Sequence, residues 1–242
     1  MHKRGIFSVR IAAATLLGFT MLASATPALA DASVTVETEI YDLPESAFDE
    51  DTDLTPPSSA ATNSAVSEGR NVVARFGPFA VVGNERAELE GSIETDTPKQ
   101  FREMLRRFPA IKQIDMIECP GTGDDSANFI IARMIRKAGI TTYVPEGGSV
   151  RSGGVELFLA GARRHAEPGA EFAVHSWRGE NGLEADDVPA DDPLNTEYIN
   201  FYREMGMEPA KAKAFYALTN SVPNDDALYL KARDIAAYVS LD

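Results

Sequence analysis

Apolar residues after position 70 alternate between short runs and helical stripes. Short apolar runs separated by glycine occupy residues 71–94 and predict strands. Between Phe101 and Phe108 the apolar positions recur at i, i+3, i+4 and i+7, which is the spacing of one helix face. The next run, 111–117, contains β-branched residues and is too short for a stable helix. It therefore predicts a further strand.

Strand, helix and strand then alternate along the chain. The pattern covers residues 111–144 and recurs over 147–175, where a glycine-rich loop precedes a short apolar helix and a strand. Two further helices are predicted over 196–205 and 209–219, and a last helix and turn over 229–242. Such alternation predicts an α/β fold with parallel strand pairing and right-handed crossovers.

The N-terminal residues have the layout of a secretory signal peptide. Residues 1–30 contain three Lys and Arg residues and no acid, and an apolar stretch over 11–23 follows the charges. Ala28 and Ala30 supply the small residues of a cleavage site. We expect a periplasmic or secreted protein without a stable membrane anchor after cleavage. An uncleaved N-terminal anchor is the alternative.

The charge of the chain is unevenly distributed. The full chain carries 37 acidic and 23 basic residues, a net charge of -14, and ten of the acids fall in residues 31–69 without a basic partner. Because that segment is also rich in Pro, Ser and Thr and poor in large apolar residues, we expect a flexible arm. Residues 70–242 then form a single domain with 27 acids and 20 bases.

Composition also excludes several kinds of partner and site. An acidic chain is a poor match for nucleic acid or an anionic lipid surface. A single cysteine, Cys119, cannot build a disulfide framework or a cysteine zinc site, and no second His or Cys lies at ligand spacing with His175. We therefore expect neither a metal nor a cofactor.

Polar groups with catalytic potential are predicted to meet at one edge of the parallel sheet. Ser152 lies on a glycine-flanked turn before the buried helix, so the amide of Gly153 and the helix N-terminus would face its hydroxyl. The turn 119–122 ends the preceding strand and offers further amides, and His175 ends the next strand. A serine needs such a base, and a loop acid that orients it, to act at neutral pH.

This spacing resembles the proteolytic subunit of Clp protease, within the wider Clp and crotonase superfamily. That family has a Ser-Pro-Gly-Gly turn, a nucleophile in Ser-x-Gly-(six residues)-Gly, and a histidine seven residues after a proline. The matching residues here are Cys119-Pro120-Gly121-Thr122, Ser152, Gly154, Ala160, Gly161, Pro168 and His175. The match spans 87–242 and is most similar to the secreted, uncharacterised branch. It implies a spiral of repeated β-β-α units with a parallel sheet.

The resemblance also implies roles for individual residues. Ser152 would be the nucleophile and His175 the general base. The oxyanion hole would be formed by the amides of Gly153 and of Gly121 or Thr122.

The third member of the triad is not defined by the motif. The family's acid precedes its final helix, and the carry-over requires a small loop shift onto Asp225 or Asp226, of which Asp225 is favoured. Two further departures are Thr122, where the family has a glycine, and Arg151, which stands before the nucleophile where a small residue is usual.

The leading hypothesis is an exported, ATP-independent serine hydrolase, a peptidase that acts on a peptide or protein through an acyl-enzyme. The resemblance allows for a homo-oligomer but not for an ATPase partner outside the cytoplasm. The alternative is a non-catalytic binding or scaffold module of the same fold, which Arg151, Thr122 and the displaced acid favour. Acyl-CoA chemistry fits the fold, but the domain lacks an obvious basic site for the nucleotide.

Overall fold

The computed structural model describes residues 71–179 and 181–242, which fall in one compact unit. The predicted signal peptide, 1–30, and the predicted acidic arm, 31–69, lie outside the described residues. Among the helices of the described part, none has both the length and the apolar character that a membrane span requires.

Strands and helices follow one another along the described chain in the order expected for an α/β fold. The strands are β1 (Val72–Phe76), β2 (Phe79–Val82), β3 (Arg86–Glu90), β4 (Gln113–Cys119), β5 (Thr141–Val144), β6 (Ser149–Arg151), β7 (Arg164–Ala166), β8 (Glu171–Val174) and β9 (Leu228–Lys231). The helices are α1 (Thr97–Arg107), α2 (Asp125–Lys137), α3 (Gly153–Ala160), α4 (Pro193–Glu204), α5 (Pro209–Thr219) and α6 (Ala232–Ile235).

The sheet divides into two branches at β4. Residues 113–115 of β4 pair with β5, which pairs with β7, whereas Glu118 and Cys119 pair with β6, which pairs with β8. All of these pairs, and the β3–β4 pair, are parallel. After β4, each successive pair of strands (β5 with β6, then β7 with β8) therefore adds one strand to each branch. The predicted α/β spiral of β-β-α units is confirmed.

Antiparallel strands complete both ends of the sheet. β1 and β2 form a hairpin that continues antiparallel onto β3, and β9 pairs antiparallel with β8. The sequence prediction was incomplete here, because it assigned 229–242 to a helix and turn and did not identify β9. It also missed the three-residue strands β6 and β7, which are too short to show an alternating pattern.

Helix α3 lies at the centre of the packing. All eight of its residues are buried, and the ring of Phe158 packs 5.0 Å from that of Phe172 on β8. A helix that is apolar on nearly all sides must be covered on all sides. Its burial holds its N-terminus, and hence Ser152, in a defined place at the carboxyl edge of β6.

The hairpin of α4 and α5 packs against α2. The ring of Phe201 on α4 stacks 4.4 Å from Phe129 on α2, and the ring of Tyr202 meets Phe215 on α5 edge to face at 5.0 Å. These contacts bring Tyr198 and Tyr202 to the side of α2 and α3 that faces Ser152.

Candidate active site

Ser152 occupies a sharp turn between β6 and α3. Its φ of 48° and ψ of -129° make it the only non-glycine residue with positive φ in the described part of the chain. Such a conformation costs about 1–3 kcal/mol and persists only where the surroundings enforce it. Here the Ser152 amide donates to the Ala173 carbonyl at 2.9 Å, and the Ser152 carbonyl accepts from the Val155 amide at 2.8 Å. The side chain is therefore presented in one orientation.

Two glycines allow the turn at 121 to approach Ser152. Gly121 has a φ of +127°, and a Cβ there would lie 2.9 Å from Ser152 Cβ and 3.4 Å from Ser152 Oγ. A Cβ on Gly153 would lie 2.5 Å from the methyl carbon of Thr122. Larger residues at either glycine would push the two turns apart. Gly121 is therefore required by the close contact and by its positive φ, and Gly153 is required by the close contact.

The amides of Gly153 and Thr122 both face this contact. Gly153 is the first residue of α3, and the first amides of a helix have no acceptor within it. Ile93 exchanges hydrogen bonds with the residues on either side of Thr122, namely Gly121 and Gly123, at 3.0 and 2.8 Å. The Thr122 amide must then point to the opposite side, toward β6 and α3. Two amides and a helix N-terminus can stabilise negative charge beside Ser152.

His175 follows directly after β8, as the sequence analysis expected for the base. Its Nδ1 lies 2.8 Å from the Ser176 carbonyl oxygen. In the tautomer in which Nδ1 donates to this carbonyl, Nε2 holds the lone pair that a base requires. The half-buried imidazole lines the same cavity as Ser152, and no direct hydrogen bond joins the two side chains among the described residues.

Asn224, not Asp225, lies beside His175. The Asn224 amide nitrogen donates to the Ser176 carbonyl at 2.8 Å and lies 3.0 Å from His175 Nδ1. Asp225 was predicted as the third triad member, but its carboxylate accepts from Arg178 at 2.8 Å and its side chain is 82% exposed. The alternative residue, Asp226, accepts from the Ala227 amide within its own turn. The prediction of an acid at this position does not agree with these contacts.

Asp225 contributes to the network that positions Asn224. Arg178 bridges Asp225 and Glu184, donating to the Glu184 carboxylate at 2.7 Å, and Glu184 accepts from the Asn224 backbone amide at 3.0 Å. The hydrogen bonds from Arg178 lower the pKa of both carboxyl groups, so both are ionised at neutral pH. The network joins the loop after β8 to the loop before β9 and holds Asn224 next to the histidine.

A cavity of about 510 Å³ contains these groups. It is lined by Ser152, Gly153, Thr122, His175 and Asn224. Residues of α2, α3 and α4 form a further wall, and they are Asp125, Asn128, Phe129, Glu156, Tyr198 and Tyr202. Trp177 also lines the cavity and donates to the Tyr216 hydroxyl at 2.8 Å. The cavity therefore combines the serine and histidine with a polar, aromatic wall.

Arg151 does not line this cavity. Its guanidinium donates to the Ser149 hydroxyl at 2.7 Å and pairs with the Glu118 carboxylate. Because strand β6 turns the side chains of Arg151 and Ser149 to the same face, the arginine is held along the sheet and away from Ser152. It does not occupy the place of a substrate.

Glu156 is a site residue that the sequence analysis did not single out. It is the charged residue of the otherwise apolar helix α3, and its carboxylate accepts from the Tyr202 hydroxyl at 2.9 Å. Burial raises the pKa of Glu156 from 4.5 to about 7. A single acid inside a buried apolar helix is the sequence signal that could have identified it.

The described residues hold no group of three or more His, Cys, Asp or Glu side chains that could bind a metal ion. Cys119 is buried, its thiol lies 3.6 Å from the Leu89 carbonyl, and burial raises the pKa of that thiol strongly. A protonated, covered thiol is a poor nucleophile. The serine is therefore the candidate nucleophile at this edge of the sheet.

Comparisons with known proteins give structural similarity only. No protein-family model and no curated protein matches the sequence. Similar solved structures include a variant of the 1510-N membrane-bound stomatin-specific protease in complex with a substrate peptide, at 19% identity and a TM-score of 0.45 over 64% of this chain and 71% of that one. A second variant of that protease has 18% identity and a TM-score of 0.46 over 64% of this chain and 75% of that one. A variant of ClpP1 from Listeria monocytogenes has 19% identity and a TM-score of 0.46 over 64% of this chain and 86% of that one. Because these TM-scores are below 0.5, the likeness carries no weight in assigning chemistry to this chain.

Proposed function

We propose that this chain is a serine hydrolase, a peptidase that acts through an acyl-enzyme without ATP. The observation that carries the proposal is the placement of Ser152. Its hydroxyl stands on an enforced turn at the N-terminus of a buried helix, in the same cavity as the imidazole of His175, whose Nδ1 lies 2.8 Å from the Ser176 carbonyl oxygen. A nucleophile, a base and amide donors at one cavity are the parts that acyl transfer requires.

In the proposed reaction Ser152 Oγ attacks the carbonyl carbon of the scissile bond and its proton passes to His175 Nε2. The carbonyl oxygen becomes an anion, which the amides of Gly153 and Thr122 stabilise. The C–N bond then breaks, and the leaving amine takes the proton from Nε2. Water attacks the acyl-enzyme by the same sequence of proton transfers, which releases the acid and restores the serine hydroxyl.

Asn224 and the Ser176 carbonyl take the place of a triad carboxylate. In the proposed tautomer His175 Nδ1 donates to the Ser176 carbonyl, which leaves the lone pair on Nε2, and the Asn224 amide nitrogen donates to the same carbonyl. This arrangement orients the base and selects its tautomer, but it supplies no full negative charge to stabilise the imidazolium. We therefore propose a slower hydrolase than one with a Ser-His-Asp triad.

Labelling with a fluorophosphonate probe tests this proposal. The wild-type protein should be labelled on one serine, and Ser152→Ala should abolish the labelling. Ser149→Ala is a matched control, because Ser149 lies three residues earlier on β6 and outside the cavity. That variant should be labelled at the wild-type rate.

A binding or scaffold module is the second candidate. The absence of a carboxylate beside His175, and of a direct hydrogen bond between Ser152 and His175, favours it among the described residues. A folded wild-type protein that takes no label would favour this candidate over the hydrolase. A Ser152→Ala variant that is labelled as fast as wild type would instead overturn the assignment of Ser152 as the nucleophile.

We also propose that the chain is exported to the periplasm or secreted, on the signal-peptide pattern of residues 1–30. Expression of the full chain in a bacterium, followed by fractionation and mass spectrometry of the N-terminus, tests this. A mature protein that begins at Asp31 in the periplasm or medium is the expected result. An intact N-terminus in the cytoplasm would contradict it.

The assembly of copies into a homo-oligomer stays a proposal, to be tested by light scattering.

A further inference from the structure

Glu156 and Ser152 lie on the same side of the cavity-forming helix. Glu156 is four residues after Ser152, which corresponds to about one turn of helix α3, and both side chains line the cavity. A substrate whose carbonyl lies at Ser152 Oγ can direct the side chain of that residue into this part of the cavity. A side chain placed in this way comes near Glu156.

The end of the cavity around Glu156 is acidic. Asp125 on α2 is the second carboxylate of this wall. The single Lys or Arg residue that lines the cavity is Arg178, which comes from the loop after β8 and already donates to Glu184 and Asp225. No Lys or Arg of the described cavity lining is therefore left to pair with Glu156.

A second buried acceptor belongs to a residue of the same cavity lining. Asn128 on α2 is 1% exposed and lines the cavity. Its amide nitrogen donates to the Gly153 carbonyl at 2.8 Å, so the remaining atom, Oδ1, is the acceptor, and Oδ1 has no hydrogen-bond partner among the described residues. A buried acceptor without a donor is costly, and a ligand that brings donors relieves that cost.

These features match a cationic side chain better than an apolar one. An apolar group would cover Glu156 and Asn128 Oδ1 without supplying a donor, whereas an ammonium or guanidinium supplies both donors and charge. The aromatic side chains of Tyr198, Tyr202 and Phe129 line the same wall. They can pack against the aliphatic stem of lysine or arginine and favour the cation over their ring faces.

We propose that Glu156 is the specificity-determining residue of the site and binds the side chain of a lysine or arginine whose carbonyl Ser152 attacks. Asn128 Oδ1 accepts a further hydrogen bond from the same cation. The proposal rests on the proposed hydrolase function for one point, namely that the bound side chain belongs to the residue whose carbonyl Ser152 attacks. The binding of the cation in the cavity does not require that the enzyme turn over.

Peptidyl phosphonate probes that differ in one side chain test the proposal. We expect wild type to react at least about tenfold faster with a lysine or arginine probe than with a leucine probe, and Glu156→Gln to lose that preference. Glutamine keeps the shape of the side chain and can still accept from Tyr202. A small fluorophosphonate, which has no such side chain, is measured on each protein in parallel, so that a change in the reactivity of Ser152 is separated from a change in side-chain preference.

The matched control is Glu103→Gln, which makes the same substitution at a partly exposed position on α1 outside the cavity. It should keep the wild-type preference. A wild type that reacts as fast with the leucine probe, or a Glu156→Gln variant with an unchanged lysine-to-leucine ratio, would overturn the assignment.

A binding measurement separates this proposal from the hydrolase proposal. N-acetyl-arginine amide and N-acetyl-leucine amide are titrated into wild type, Glu156→Gln and Glu103→Gln, and followed by calorimetry or NMR. We expect the arginine compound to bind wild type and Glu103→Gln at least about tenfold more tightly than Glu156→Gln. This result would support the cation site even if no probe labels Ser152. Equal affinities in wild type and Glu156→Gln would refute it even if Ser152 is labelled.

Discussion

The buried carboxyl group of Glu156 should make the stability of the domain depend on pH. Burial raises the pKa of this group from 4.5 to about 7. A raised carboxyl pKa means that the folded state holds its proton more tightly than the unfolded state. The free energy of unfolding is therefore unaffected by this group below about pH 4.5. It falls as the pH rises from about 4.5 to about 7, and above that the group lowers it by a constant amount.

Substitution of Glu156 by glutamine removes this dependence. With a pKa of 4.5 in the unfolded state and about 7 in the folded state, the group lowers the free energy of unfolding by about 0.8 kcal/mol at pH 5 and by about 3.3 kcal/mol at pH 8, relative to a group that stays protonated. The stability of Glu156→Gln relative to wild type should therefore increase by about 2.5 kcal/mol between these two pH values. Tyr198 and Tyr202 face the same space, but burial raises the pKa of both phenols, so neither titrates in this range.

Urea unfolding of both proteins at pH 5 and pH 8 measures this change as a double difference, in which the titration of the other groups cancels. Glu103→Gln serves as a control. The hydrogen bond from Arg106 lowers the pKa of Glu103, so this carboxyl group is ionised at both pH values. The difference in unfolding free energy between pH 5 and pH 8 should therefore be the same in Glu103→Gln as in wild type. A double difference for Glu156→Gln below about 1 kcal/mol, or of the opposite sign, would show that the carboxyl group is not held neutral by burial.

Three further predictions concern the groups around Ser152. Asn224→Ala removes the amide that fixes the Ser176 carbonyl and should slow fluorophosphonate labelling by about tenfold or more, with little change in the unfolding midpoint. An unchanged labelling rate would show that Asn224 does not orient His175. Gly121→Ala adds a Cβ 2.9 Å from Ser152 Cβ at a φ of +127°, so it should lower the free energy of unfolding by about 1–3 kcal/mol and abolish labelling. A stable, labelled variant would contradict the close contact of the two turns. Cys119 should resist iodoacetamide in the folded protein and react in urea, as mass spectrometry can show, because burial raises the pKa of its thiol and covers it. Modification of the native protein would indicate that this strand end opens.

Much of the fold could be predicted from local pattern. The apolar stripe between Phe101 and Phe108 predicted α1, and the alternation of strands and helices predicted the parallel pairing around β4. Both patterns are formed by residues a few positions apart, which is the distance over which helix and strand periodicity repeats. The glycines at 121 and 153 could be identified as parts of tight turns for the same reason.

The missed elements lack such a local signal. Strand β6 contains three residues in a glycine-rich loop, and β9 follows a turn at the end of the chain. Both are strands because β4 and β8 offer them hydrogen-bond partners distant in sequence. Glu156 was missed because its sequence places it on a buried helix, whereas its meeting with Tyr202, 46 residues away, depends on how α4 packs.

The sequence by itself determined which residues could provide chemistry: a serine before a buried helix, a histidine after a parallel strand, and turns rich in amide donors. Parallel strands end at one edge of a sheet, so this much follows from topology alone. Only the tertiary structure decided which loop residue stands beside His175. Asp225 and Asn224 are neighbours in sequence, but Asp225 pairs with Arg178 across 47 residues, whereas Asn224 lies 3.0 Å from His175 Nδ1. An ion pair between two loops produces no periodic pattern in the sequence of either loop, because the pair forms only where the folded chain brings the two loops together.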